Sequence, residues 1–195
     1  ALANLAGLPA WPAAMVGIAA ATLTGGVIGA VSARLTGVFF LMVTLAFGQM
    51  IWVLTFRADA LGGDNGLGGI DRAPLPFTDM SDPLSFALYA LALLLACFAA
   101  CAAILRSPFG RAFQAVDDNP ARAAAIGLAP TRIRATGFAL SSAIAGVAGV
   151  LAAQHMQFVL PDLMVWTASG EVLVVLILGG IGTLSGAVIG AAGFV

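Results

Sequence analysis

The chain has 195 residues, of which 61% are hydrophobic and 9% charged, and its mean hydropathy is +1.06. Soluble domains carry about a quarter of charged residues, and a fold of this size cannot bury so much apolar surface, which excludes a water-soluble enzyme or nucleic-acid binder. All eight basic residues are Arg, and a net charge of −1 exerts no pull on a polyphosphate.

Charges are absent from windows 8–31, 36–56, 84–105, 135–154 and 172–195, which hold 24, 21, 22, 20 and 24 residues. About 20 apolar residues at 1.5 Å each cross a hydrocarbon core of about 30 Å. The pattern predicts an all-α, polytopic helical membrane protein with about five spanning helices. A transmembrane β-barrel needs shorter segments that alternate apolar and polar. The 24 glycines fit helices that approach closely through small residues.

The links between windows alternate in sign. Link 32–35 carries +1, link 57–83 carries −3, link 106–134 carries +3 and link 155–171 carries −2. The positive-inside rule places 32–35 and 106–134 in the cytoplasm and 57–83 outside, periplasmic or extracellular. The chain starts without Met and ends in an apolar run, so residues 1–195 are expected to be a single transmembrane domain that is a fragment of a longer protein.

The first window contains TLTGGVIGA at 22–30, and the last contains TLSGAVIGA at 183–191, identical at seven of nine positions. Both hold a GxxxG, Gly25 with Gly29 and Gly186 with Gly190. A parallel internal repeat and convergence on a packing motif both explain the echo. Thr44 and Gln49 are polar groups inside the second window, where such groups tend to face the bundle interior. Helix–helix hydrogen bonds and backbone back-bonding are the alternative for the hydroxyl. Cys97 and Cys101 lie four apart within the third window and read as packing residues.

Link 57–83 has a Gly-rich turn around Asp64-Asn65-Gly66 and is expected to form a structured outer loop. Link 106–134 carries two short helix signatures. Ser107 can cap a helix opened by Pro108 and running towards Val116. Asn119 can cap a second helix opened by Pro120, with Gly127 at its left-handed end and Pro130 blocking resumption. A two-turn helix is not stable alone. Docking into a partner's groove, with Arg111, Arg122, Asp117 and Asp118 at the rim, and packing on the chain's own membrane domain remain the two explanations. His155, in the fourth link, reads as an interfacial polar residue. Glu171 follows a possible Ser169 cap and suits the start of the last helix. Gly179, Gly180, Gly182 and Gly186 crowd that helix; such density breaks a helix beside a substrate path or permits close packing.

The run AVDDNPARAAAIGLAPTRIRATGFALSSAIAGVAGVLAA at 115–153 resembles the cytoplasmic loop and following helix of LivM-type permeases of branched-chain amino acid ABC importers. RLTGVFFLMVTLAFGQM at 34–50, LGGDNGLGGI at 61–70 and EVLVVLILGGIGTLSGAVIGA at 171–191 agree in order. The resemblance implies a permease subunit of the bacterial inner (plasma) membrane, paired with a LivH-like permease, two cytoplasmic ATPases and a periplasmic substrate-binding protein. Loop 106–134 would then be a cytoplasmic coupling loop. Its ATPase-docking residues would be Arg111, Asp118, Asn119, Arg122, Ala123, Ala124 and Gly127. Thr44, Gln49, Gly179, Gly180 and Gly182 would flank the translocation path. The chain has no G-x-x-x-x-G-K-[ST] loop, so it is expected not to be an enzyme and to bind no cofactor, with ATP and Mg held by the partner ATPases. An ion-gradient-driven secondary transporter or a channel subunit is the alternative, against which stands the lack of an acidic residue deep in any window. A structural membrane subunit is the third reading.

Overall fold

The structure, a computed structural model, describes residues 10–58, 66–70, 82–160, 165–180 and 182–194. Eight helices and two short strands occupy them: α1 Ala10–Ser32, α2 Val38–Arg57, β1 Leu67–Gly68, α3 Pro83–Arg106, α4 Pro108–Asp118, α5 Pro120–Ala125, α6 Pro130–Met156, β2 Phe158–Val159, α7 Trp166–Gly179 and α8 Leu184–Phe194. Helices α1, α2, α3 and α6 are each long and apolar enough to cross a membrane. They coincide with the first four uncharged windows. Helix α6 outruns its window because Arg132 and Arg134 form part of its first turns. Charge marks where the apolar layer ends, not where the helix does.

The fifth window is not one straight helix. Its halves α7 and α8 are bent by 111° between Gly179 and Leu184. Gly180 and Gly182 take φ of 96° and 94°, a region costly for residues with a Cβ. Helix α7 also starts earlier than expected, at Trp166. Ser169 is therefore inside it rather than capping it, and Glu171 is its sixth residue. The position before α7 is Val165, which makes no side-chain cap bond.

Large apolar side chains point outward. Met15, Leu23, Val27, Phe39 and Leu54 are among the exposed ones, whereas α1 buries Gly25, Gly29 and Ser32. That inversion suits lipid, where apolar chains gain nothing by turning inward and small residues let backbones meet. The main seam joins α1 to α6. A Cβ on Gly25 would run into the side chain of Ser142, and one on Gly29 would come within 2.7 Å of Phe138 Cβ. On the other side of the seam, a Cβ on Gly146 would lie 2.9 Å from Ala21 Cβ. Cys97 and Cys101 are free thiols, half-buried in α3.

At the end of the bundle opposite the α4–α5 loop, β1 pairs antiparallel with β2, Leu67 against Val159 and Gly68 against Phe158. The N–H of Ile70 adds a bond to the carbonyl of Gln157. His155 stacks on the buried ring of Phe86, with centroids 5.5 Å apart. This end of link 57–83 is thus structured; Asp64 and Asn65 lie outside the described residues.

Candidate functional site

The 107–129 loop is built almost wholly from caps. Ser107 serves two helices: its hydroxyl donates to the carbonyl of Ile104 at 2.6 Å and accepts the N–H of Gly110 at 3.3 Å. Pro108 opens α4, where its missing N–H costs nothing. The reversal between α3 and α4 is so tight that a Cβ on Gly110 would strike the carbonyl oxygen of Leu105. Only glycine fits there.

Helix α4 is strongly two-faced. Val116 is 1% exposed, while Arg111, Gln114, Asp117 and Asp118 face outward. Phe113 lies against α6, where a Cβ on Gly137 would collide with its ring. Asn119 then ends α4 and starts α5. Its N–H donates to the carbonyl of Ala115 at 3.2 Å, and its Oδ1 accepts the N–H of Arg122 at 3.0 Å. Pro120 opens α5.

Helix α5 closes with a reciprocal pair of bonds, Gly127 N–H to the Ala124 carbonyl at 3.0 Å and Leu128 N–H to the Ala123 carbonyl at 3.1 Å. Gly127 holds φ at 87°. This is the Schellman arrangement, with glycine at the left-handed position. Six residues of helix are too few to persist by propensity; here caps at both ends and a buried seat hold them.

That seat sorts the residues singled out from the sequence. Ala123 is 2% exposed and packs inward, as part of the seat. Arg111, Asp118, Asn119, Arg122, Ala124 and Gly127 are each exposed. Ile126 joins them, 72% exposed, an apolar side chain beside Ala124 that the sequence reading passed over. Phe113 and Gly137, the clamp beneath the loop, were passed over as well. A bulky aromatic facing a glycine on the next long helix is the one signal that could have suggested it.

Of the residues proposed for a translocation path, Thr44 donates its hydroxyl to the carbonyls of Phe40 and Leu41 within its own helix. Gln49 is half-buried one turn further along α2. Gly179 and Gly180 end α7, which touches α2, and Gly182 lies in the turn before α8. An open apolar groove of about 480 Å³ runs between α1 and α2, lined by Val27, Phe47 and Met50 among others. Neither Thr44 nor Gln49 lines it. Among the described residues, no group of His, Cys, Asp and Glu is arranged to hold a metal ion.

The chain is 34% identical over 175 residues to the high-affinity branched-chain amino acid transport system permease protein LivM of Salmonella typhimurium, covering 77% of this chain and 41% of the relative. It is 32% identical over 202 residues to the LivM protein of Escherichia coli, covering 91% of this chain and 47% of the relative. An autoinducer 2 import system permease protein, LsrC of Escherichia coli, is 32% identical over 126 residues, covering 63% of this chain and 36% of the relative. The chain thus spans less than half the length of these curated relatives. No solved structure matches. The family model for the branched-chain amino acid transport system permease component matches residues 1–195, and the chain belongs to that family of multi-pass membrane permeases.

Proposed function

We propose that this chain forms part of a permease subunit of an ATP-driven ABC importer in the bacterial inner membrane, and that the importer carries branched-chain amino acids. A periplasmic binding protein delivers the substrate, a LivH-like permease completes the membrane path, and two cytoplasmic ATPases supply the work. The observation that carries this reading is the α4–α5 loop. Two helices too short to stand alone are fixed by Ser107, Asn119 and Gly127 and seated through Val116 and Ala123. Their outer side presents Arg122, Ala124 and Ile126 to a partner. A rigid, outward-facing element joined to α3 and α6 converts a push by an ATPase into movement of two spanning helices. Branched-chain amino acids are favoured over autoinducer 2 because the likeness to LivM reaches 77% and 91% of the chain, against 63% for LsrC.

The test is Ala124→Trp in the intact importer. Overfilling a groove shaped for a methyl group costs about 1–3 kcal/mol, which weakens ATPase association about five- to a hundredfold. The membrane fold survives, because Ala124 faces away from it. Copurification of the ATPase and substrate-stimulated ATP hydrolysis in liposomes are both expected to fall. Wild-type levels of both would remove the loop as a coupling element.

A further inference from the structure

A cavity of about 400 Å³ lies where α1 ends, α2 begins, and α4 of the 107–129 loop meets α6. Its size is within the range of small-ligand clefts, about 300–1,000 Å³. Phe40, Phe113 and Phe138 line it. Phe40 meets Phe138 edge to face with centroids 6.2 Å apart, and Phe113 rests on Gly137, so the rings are held in place.

Two charges share this aromatic cup. Asp117 of α4 and Arg134 of α6 both line it, and among the described residues no ion pair joins them. Asp117 is exposed and Arg134 half-buried, so a solute can reach both. Ser141 adds a hydroxyl. An unpaired cation and anion in one cup select a ligand that carries both signs. A guanidinium takes a carboxylate through two parallel hydrogen bonds. A carboxylate takes an ammonium group. The ring-lined remainder suits an aliphatic side chain, whose C–H groups pack on aromatic faces.

We propose that this cavity binds a free α-amino acid with an aliphatic side chain, its carboxylate on Arg134 and its ammonium on Asp117. The choice of ligand and the cytoplasmic side rest on the permease reading above. The site is separate from Thr44, Gln49 and the α7–α8 turn, none of which lines it.

The experiment is equilibrium binding of radiolabelled leucine to the intact importer, both permeases with their ATPases, in nanodiscs without the binding protein. Saturable binding is expected. Leucinol, which lacks the carboxylate, and 4-methylpentanoate, which lacks the ammonium, should compete at least about tenfold more weakly, since each forfeits a charged hydrogen bond. These competitors need no variant and so do not depend on a variant folding. Arg134→Gln and Asp117→Asn should each weaken binding about ten- to a hundredfold, with Arg132→Gln as an unaffected control. Absence of saturable binding overturns the proposal, as does equal competition by leucinol or indifference to both substitutions. Stronger displacement by glycerophosphoethanolamine would assign the cavity to a lipid headgroup and also overturn it. ATP-driven leucine uptake, measured in the same preparation with the binding protein added, separates the two readings. Uptake without binding sinks this inference alone, and binding without uptake sinks the importer reading alone.

Discussion

Thr22 and Thr183 hold the same place in two stretches that match at seven of nine positions, TLTGGVIGA and TLSGAVIGA. In α1 the residues before Thr22 are helical, and its hydroxyl donates back to the carbonyl of Ile18 at 2.7 Å. Before Thr183 stand Gly180 and Gly182 with positive φ. Its hydroxyl donates to the carbonyl of Gly180 at 3.3 Å and also accepts the N–H of Gly186 at 3.2 Å, which starts a new helix. The glycines diverge too. Gly25 and Gly29 admit side chains of α6, a helix more than a hundred residues away. Gly186 and Gly190 admit the backbone of α7, the helix just before them. One motif, then, means small surface, and the neighbours decide whether side chains or backbone occupy it.

Three sets of substitutions test this contrast. The largest effect is expected from Gly179→Ala in the hairpin. A Cβ there collides with the backbone of Gly186 and lies 2.9 Å from the amide of Gly190. No side chain can be trimmed to make room, so the loss should exceed the usual 1–3 kcal/mol of overpacking and resist rescue by any second substitution. Gly25→Ala in α1 should cost about 1–3 kcal/mol. Its obstacle is a side chain, so Ser142→Gly should restore most of the loss. Thermal unfolding of the three variants in nanodiscs measures both; failure of Ser142→Gly to rescue would show that α1 and α6 do not meet as described. The smallest effect separates the threonines. Thr183→Ala removes a helix cap worth about 1 kcal/mol, whereas Thr22→Ala removes a back-bond and should change stability by less than about 0.5 kcal/mol. Equal effects would erase the distinction.

The features legible in the sequence were those set by local rules. Ser107-Pro108 and Asn119-Pro120 each fix a helix start within three residues, and Gly127 fixes an end, so both loop helices fell where expected. The four long helices were legible because crossing a membrane takes a length and a composition, and both are counts. The inward turn of Ala123 was not legible. On a six-residue helix of Pro, Arg and Ala, no periodicity says which methyl faces the seat; docking against the rest of the chain decides. Nor was the bend in the last window. Glycine density admits breaking and packing alike, and the glycines divide the work, Gly180 and Gly182 turning the chain while Gly179, Gly186 and Gly190 pack. Composition is the same either way.

The 111° bend has a consequence for water. Helix α7 has 14 residues and α8 has 11, so at 1.5 Å per residue they reach about 21 Å and about 17 Å. Neither crosses a hydrocarbon layer of about 30 Å alone; if the pair enters the layer, its turn lies within it. Thr183 satisfies the amide of Gly186, and Gly180 donates to the carbonyl of Ile177 at 3.2 Å. The hydroxyl of Thr183 also donates to the carbonyl of Gly180 at 3.3 Å, but a bend of this size interrupts the helical ladder of backbone polar groups. Hydrocarbon offers such groups nothing, so non-helical backbone persists at this depth only where water or another protein surface meets it. A bent pair that enters the membrane therefore needs water or another subunit at its turn.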